Sequence, residues 1–185
     1  MSENIIKVGV VGLGRGTAIA RCLKGVKNAK LIACCDHNPA ILKKGYAELS
    51  EVLEDKDIIQ FSDYDEMLKT DIDAVIVATE AVYHVPIVTK AMNAGKHVLS
   101  EIPAVNSLEE AKELKTLVNA HPELTYMAAE NCCYWAFIQT WKKMHRDGLF
   151  GEIAYAEAEY LHALDPDDFA PDYYPEGHWR TYQPA

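Results

Sequence analysis

Short, nearly continuous apolar runs recur along the first two thirds of the chain, and most end at glycine or at a polar residue. They predict strands at residues 5–11, 31–35, 74–78, 97–99 and 124–128. Strands that are apolar at successive positions are buried on both faces. The pattern is therefore typical of a parallel sheet that is covered by helices.

Polar residues that begin helices separate these runs. Asn38 stands before Pro39, a proline at the first helical position, and the segments that begin at Asp63 and Ser107 carry a glutamate three residues later, as in a capping box. Strand and helix therefore alternate up to about residue 130, which predicts an α/β fold with a doubly wound parallel sheet. We expect residues 1–130 to form this domain.

The pattern changes after residue 130. Residues 134–146 predict one more helix, which Asp147 and Gly148 end, and residues 152–161 alternate as in a strand. The rest is rich in proline, aspartate and aromatic residues and has no period. Because one strand does not make a domain, we expect residues 131–185 to be a linking helix and the start of a truncated second α/β domain.

Composition excludes several classes of protein. The 185 residues are 49% hydrophobic and 25% charged, which is typical of a globular protein rather than a collagenous or disordered one. The formal net charge of −10 opposes binding to nucleic acid or to an anionic membrane. We find neither a signal peptide nor an apolar run of about 20 residues. Five cysteines, including two adjacent pairs, suit neither a disulfide framework nor a zinc site, so we expect buried thiols, no metal and a cytoplasmic protein.

A glycine-rich segment lies between the first predicted strand and a helical stretch. It comprises Gly12, Leu13, Gly14, Arg15, Gly16 and Thr17. Gly12 permits a tight turn, and Gly14 allows the backbone to approach a pyrophosphate at the start of the helix. The third glycine of the usual pattern falls at Thr17, so we expect Thr17 to crowd the helix against the strand. This context predicts a dinucleotide-binding loop.

An acidic residue ends the second predicted strand. Asp36 follows Gly12 by 24 positions, near the spacing of about 20 at which a carboxylate binds the adenosine ribose hydroxyls. A carboxylate repels a 2′-phosphate, and neither His37 nor Asn38 supplies an arginine to bind one. We therefore predict NAD rather than NADP as the cofactor. The alternative is that Asp36 only begins the turn before the next helix.

Polar residues also follow two later strands. Thr79 ends one of them, His84 opens the helix behind it, and Glu101 ends the other. The carboxyl ends of parallel strands share one edge of the sheet, where ligands of such folds bind. Thr79, His84 and Glu101 are therefore candidate contacts of the cofactor.

Together these segments resemble the glucose-fructose oxidoreductase and inositol dehydrogenase family, known as Gfo/Idh/MocA. The resemblance covers about residues 5–162 and is carried by residues 12–15, 35–36, 83–86, 94–101 and Pro103. It implies an NAD-binding Rossmann domain followed by a substrate domain, with hydride transfer between the nicotinamide and a sugar or polyol. It also implies that Asn131 lies at a position often near the nicotinamide, although a loop or cap residue would fit there equally.

The chain departs from the family at Ile102, where members usually carry the lysine of a Glu-Lys-Pro sequence. An alkyl side chain transfers no proton, so the usual acid–base group is missing. The family's catalytic histidine normally follows a Trp-Arg pair that resembles Trp179-Arg180, and the sequence given ends five residues after that pair. Catalytic residues therefore stay unassigned, and we expect this chain alone to be inactive or weak.

Three functions remain open. The first is an NAD-dependent oxidoreductase that acts on a sugar or polyol. The second is an NAD-dependent glycosidase of the same family, which cleaves its substrate through transient oxidation rather than with two carboxylates. The third is a non-catalytic NAD-binding module. We also expect a homo-oligomer, because the strand at residues 152–161 and the aromatic residues beyond it would otherwise be exposed.

Overall fold

The computed structural model describes residues 5–159 and residue 161. Its contacts divide the chain into two compact units, Met1–Ala129 and Glu130–Ala185. The first unit holds a six-stranded sheet in which every pair is parallel. Its strands are β1 (Ile6–Val11), β2 (Ala29–Cys35), β3 (Ile59–Phe61), β4 (Ala74–Val77), β5 (His97–Ser100) and β6 (Tyr126–Ala128).

The order of the strands across the sheet is β3-β2-β1-β4-β5-β6. The chain builds outward from β1 to β3, then returns to the other side of β1 and builds outward again through β4. This is the doubly wound Rossmann topology, which confirms the predicted fold class. The order reverses between β1 and β4, and folds of this kind bind ligands in the crevice outside the carboxyl ends of these strands.

Helices connect the strands, and side-chain caps start them where the sequence predicts. They are α1 (Arg15–Ala20), α2 (Pro39–Val52), α3 (Tyr64–Leu68), α4 (His84–Asn93), α5 (Leu108–Ala120) and, in the second unit, α6 (Ala136–Arg146). The Asn38 side chain accepts the N–H of Ala40 at 3.0 Å, and the Ser107 hydroxyl accepts the N–H of Glu110 at 3.1 Å. These bonds satisfy donors that have no partner within the helix itself.

Two apolar clusters pack against the sheet from opposite sides. Adjacent residues of a strand belong to different clusters, as Val10 and Val11 do in β1, and as Ile76 and Val77 do in β4. Successive side chains of a strand point to opposite faces, so both faces are buried. This explains the continuous apolar runs of the sequence. Because both faces of the sheet are covered, polar residues that bind a ligand are expected at the ends of the strands.

Two elements differ from the sequence expectation. The sequence runs do not locate β3, which has only three residues and an Ile59 that is 52% exposed at the edge of the sheet. The strand predicted at residues 152–161 is wrong for its described part, since residues 152–159 form no strand. Alternation alone does not make a strand, because the backbone also needs a neighbouring strand as hydrogen-bond partner.

Candidate functional site

The turn after β1 requires glycine at position 12. Gly12 has a φ of +84°, and a Cβ at this position would lie 2.5 Å from the carbonyl oxygen of Ala78. Its N–H donates to the carbonyl oxygen of Cys35 at 3.0 Å. The glycine-rich segment therefore touches the ends of both β2 and β4. At Gly14, in contrast, no described atom lies within 4 Å of the position that a Cβ would take.

Gly16 allows a close contact between helix and strand. A Cβ on Gly16 would lie 2.9 Å from Val10 Cγ2, so only glycine allows α1 to sit this close to β1. Thr17 is buried, and its Cγ2 lies 3.1 Å from the position of a Cβ on Gly45, a glycine of α2. Crowding of the strand by Thr17 stays a prediction. The packing around the glycine-rich segment thus depends on two glycines, Gly16 and Gly45.

Gly45 is a further residue of this site, which the sequence motifs do not mark although its place inside a helix is a signal. Glycine inside a helix is less favourable than alanine by roughly 0.5–1 kcal/mol, so its occurrence in α2 indicates close packing. A Cβ there would lie 2.7 Å from the Cβ of Leu13. The helix α2 thus supports the glycine-rich segment from the side away from the strands.

The Asp36 carboxylate joins the glycine-rich segment to the start of α2. Its Oδ2 accepts the N–H of Leu13 at 2.9 Å, its Oδ1 accepts the N–H of Asn38 at 2.9 Å, and the residue is only 7% exposed. The turn that the alternative interpretation proposed is therefore present. Each carboxylate oxygen accepts more than one hydrogen bond, so this role leaves capacity for a ribose diol.

These residues fit a dinucleotide. The backbone is open at Gly14, where a pyrophosphate would approach it, and the Asp36 carboxylate stands beside the segment at the end of β2. The side chain of His37 is exposed, and its Nδ1 lies 3.8 Å from Asp36 Oδ1. The thiol of Cys35 next to it is inert, because burial and then the Asp36 charge raise its pKa to about 12.

His84 ties the end of β4 to the segment after β5. The residue is 1% exposed; its Nδ1 lies 2.8 Å from the carbonyl oxygen of Pro103, and its Nε2 lies 3.0 Å from the carbonyl oxygen of Thr79. Both ring nitrogens thus lie within hydrogen-bond distance of a backbone carbonyl oxygen. The described contacts of His84 are thus with the backbone, and its contact with a cofactor stays a prediction.

Glu101 stands directly after β5. Its N–H donates to the carbonyl oxygen of Val77 at 2.8 Å, and its carboxylate Oε1 lies 3.2 Å from the Nε of Arg15 in the glycine-rich segment. The next side chain, Ile102, is 43% exposed and carries no group that transfers a proton. The structure therefore brings Glu101 and Arg15 together at the carboxyl edge of the sheet.

Asn131 belongs to the second unit and begins a short 3-10 turn, Asn131–Tyr134. The carboxylate of Glu130 caps this turn by accepting the N–H of Cys132 at 3.0 Å, and the hydrogen bonds from Cys132 lower the pKa of Glu130. Asn131 is thus a residue of a capped loop, and its role near a nicotinamide stays a prediction. Trp179 and Arg180 lie outside the described residues.

All five cysteines are free thiols, but the expectation that they are buried holds only in part. Cys34 and Cys35 are buried inside the sheet, whereas Cys22 and Cys133 are exposed. Within residues 5–159 and 161, no three His, Cys, Asp or Glu side chains are grouped so that they could hold a metal ion. In the same part of the chain, no helix has the length and apolar character needed to cross a membrane.

A family model described as "Oxidoreductase family, NAD-binding Rossmann fold" matches residues 6–129. Among solved structures, scyllo-inositol dehydrogenase from Lactobacillus casei with bound NAD(H) and scyllo-inositol is 29% identical with a TM-score of 0.70. That likeness covers 80% of this chain and 43% of the other. The WlbA dehydrogenase from Bordetella pertussis, in complex with NADH and UDP-GlcNAcA, is 26% identical with a TM-score of 0.68, over 80% and 44% of the two chains.

The curated relatives are named glycosyl hydrolases, whereas these two solved structures are named dehydrogenases. "Glycosyl hydrolase family 109 protein 4" from Phocaeicola vulgatus is 32% identical over 179 residues, which is 92% of this chain and 33% of the relative. "Glycosyl hydrolase family 109 protein 2" from Shewanella sp. (strain ANA-3) is 33% identical over 168 residues, 86% of this chain and 36% of the relative. The chain therefore spans about a third of the length of these relatives.

Proposed function

Because the chain belongs to the Gfo/Idh/MocA oxidoreductase family and NAD is its cofactor, we propose that it is the nucleotide-binding part of an enzyme that transfers a hydride to or from a sugar or polyol. The observation that carries the proposal is the Asp36 carboxylate, which is bonded to Leu13 at 2.9 Å beside the open backbone of Gly14. This arrangement provides a ribose acceptor and a pyrophosphate approach in one crevice.

We assign the candidate residues to parts of the cofactor by their place along the sheet edge. Asp36 at the end of β2 binds the adenosine ribose, and the segment from Gly12 to Thr17 binds the pyrophosphate. Thr79 and Glu101, at the ends of β4 and β5, face the nicotinamide half. His84 supports both of these ends through the carbonyl oxygens of Thr79 and Pro103.

The bound nicotinamide supplies a hydride acceptor or donor, and this chain's residues orient it. A hydroxyl proton must leave the substrate when its carbon is oxidised, and the usual lysine for that step is absent at Ile102. The family resemblance places the other acid–base group past the Trp179-Arg180 pair, outside the described residues. We therefore assign binding and orientation to the described residues, and no proton transfer.

A second candidate is cleavage of a glycoside. The curated relatives that are 32% and 33% identical are named glycosyl hydrolases, which favours this candidate. In this chemistry, a sugar carbon gives up a hydride, the leaving group departs from the oxidised sugar, water adds, and the same hydride returns. The net reaction is hydrolysis, and NADH does not accumulate.

One assay separates the two candidates. The gene product that carries this sequence is incubated with NAD⁺ and a panel of sugars, polyols and aryl glycosides, while NADH and released aryl alcohol are measured together. A dehydrogenase produces NADH in proportion to the sugar oxidised. A glycosidase releases the alcohol without net NADH and stops when the cofactor is removed. Cofactor binding without either product supports the non-catalytic module.

Assembly and location complete the proposal. We propose a homo-oligomer formed through the second unit, since Phe137 and Trp141 of α6 are 47% and 53% exposed. The partner of the active protein is a small sugar or polyol. We propose the cytoplasm as its location, because the five cysteines are free thiols.

A further inference from the structure

One ion pair crosses the crevice at the sheet edge. Arg15 is the first residue of α1, and Glu101 directly follows β5. The strand β4 lies between β1 and β5, so the 3.2 Å contact between Arg15 Nε and Glu101 Oε1 passes over the end of β4. The pair therefore spans the reversal point of the strand order, where a dinucleotide lies in folds of this class.

The two partners are held very differently. The side chain of Glu101 is only 17% exposed, and its backbone N–H donates to the carbonyl oxygen of Val77. The side chain of Arg15 is 69% exposed. Exposed ion pairs are weak and are screened by water and salt. The guanidinium can thus leave Glu101 at little cost.

A cation favours the binding of a pyrophosphate in this crevice. The pyrophosphate carries two negative charges and would lie between the carboxylates of Asp36 and Glu101. Arg15 is the only arginine or lysine among the candidate residues, and it belongs to the segment that approaches the pyrophosphate. A guanidinium binds phosphate oxygens through two parallel hydrogen bonds, which a single carboxylate contact through Nε does not use.

We propose that Arg15 exchanges partners when the cofactor binds. In the free protein its guanidinium is paired with Glu101, and in the complex it binds the pyrophosphate and releases the Glu101 carboxylate into the crevice. Glu101 thus acts as a competitor for Arg15 in the free state. The inference rests on nucleotide binding at the glycine-rich segment and is independent of the sugar chemistry proposed above.

The test uses ADP, which has the pyrophosphate but lacks the nicotinamide and its ribose. Any contact that Glu101 makes with that half of the cofactor is thereby removed from the measurement. ADP is titrated by calorimetry into the full chain and into Arg15→Gln, Glu101→Gln and the double variant. We expect Arg15→Gln to weaken ADP binding about tenfold, since a hydrogen bond to a charged group is lost. We expect Glu101→Gln to strengthen it about two- to fivefold, which is the strength of an exposed ion pair.

The double variant distinguishes exchange from simple charge repulsion. If Glu101 only repelled the phosphates, its replacement would give the same gain with and without Arg15, and equal gains overturn the proposal. Exchange requires the gain to shrink when Arg15 is absent. Unchanged ADP affinity in Arg15→Gln also overturns it. The control is Glu54→Gln, which breaks the 2.8 Å pair of Lys24 with Glu54 and makes the same change in charge away from the sheet edge.

A second measurement needs no variant of uncertain stability. The Nε–H resonance of Arg15 is followed by NMR in the unmodified chain during the ADP titration. Exchange predicts that this resonance moves with the same dissociation constant as the calorimetric titration. A resonance that stays in place while ADP binds overturns the proposal.

Discussion

At the scale of single residues, we predict that Asp36 determines the choice of nucleotide. Its carboxylate is 7% exposed at the end of β2, and a carboxylate there repels a 2′-phosphate. We expect the unmodified chain to bind NAD(H) more tightly than NADP(H), and Asp36→Ala to narrow the difference. Titration of both nucleotides by calorimetry measures it. Equal or tighter binding of NADP(H) by the unmodified chain would contradict the assignment.

The control for Asp36 is Asp73→Ala. The Asp73 carboxylate also accepts a backbone N–H, that of Lys7 at 2.7 Å, but it does so at the amino ends of the strands. We expect this variant to lose stability without any change in the ratio of NAD to NADP affinity. If the ratio of NAD to NADP affinity changed similarly in Asp36→Ala and Asp73→Ala, the change would reflect lost stability and not the role of Asp36.

His84 provides the second prediction at this scale. His84→Phe keeps a large side chain but removes both ring nitrogens from the carbonyl oxygens of Thr79 and Pro103. A buried polar group without a partner costs about 1–3 kcal/mol, so we expect a loss of that order in the free energy of unfolding. Urea denaturation measures the loss. Thr116→Ala is the control, because its hydroxyl bonds a carbonyl on an exposed helix surface; equal stability of His84→Phe and the unmodified chain would contradict the prediction.

At the scale of elements, the contact between α1 and α2 depends on Gly45. Alanine favours a helix, but a Cβ at this position would lie 2.7 Å from Leu13 Cβ. We expect Gly45→Ala to lower the free energy of unfolding by about 1–3 kcal/mol through overpacking, and to weaken NAD binding because the glycine-rich segment is displaced. Thermal unfolding and calorimetry measure the two effects. The control is Lys44→Ala, one residue earlier at an exposed position, which should lower neither the free energy of unfolding nor the affinity for NAD. A Gly45→Ala variant that is more stable than the unmodified chain would contradict the packing argument.

Some helices and strands can be predicted from a short stretch of sequence alone. The buried strands follow from continuous apolar runs, and the helix starts follow from caps such as Asn38. Other features depend on residues far apart in the sequence. The role of Gly16 depends on where Val10 points, and the role of His84 depends on carbonyl oxygens that two different loops supply. The strand predicted at residues 152–161 is absent from residues 152–159 for the same reason, because a strand exists only with a partner.

At the scale of the whole molecule, we expect the chain to bind its cofactor without turning over a sugar. The first unit carries the candidate nucleotide contacts other than Asn131, whereas Ile102 replaces the usual acid–base residue. Loss of acid–base help typically costs about 10²- to 10⁴-fold in rate. We expect the purified chain to bind NAD but to turn over sugars negligibly, as measured by NADH absorbance. A robust cofactor-dependent rate would contradict this and would require an acid–base group among other residues.

The exposed aromatic residues of α6, in the second unit, predict that copies of the chain associate. No residue of α6 is buried, and Phe137 packs its ring against Trp141 at 5.1 Å. We expect light scattering to show a homo-oligomer whose population rises with concentration, and Trp141→Glu to shift it toward the monomer. Lys142→Glu, a charge change at the adjacent residue, should leave the mass unchanged. A strictly monomeric unmodified chain would contradict the prediction.

The double attachment of the Asp36 carboxylate has a consequence for coenzyme engineering. To change the coenzyme of a dehydrogenase from NAD to NADP, one usually begins by substituting the acidic residue after the second strand. Here that substitution also removes the hydrogen-bond acceptor of the Leu13 and Asn38 N–H groups, which holds the pyrophosphate-binding loop in place. A successful redesign therefore has to supply a new hydrogen-bond acceptor as well as a change of charge. A neutral acceptor at position 36, with a cation introduced at position 37, meets both requirements.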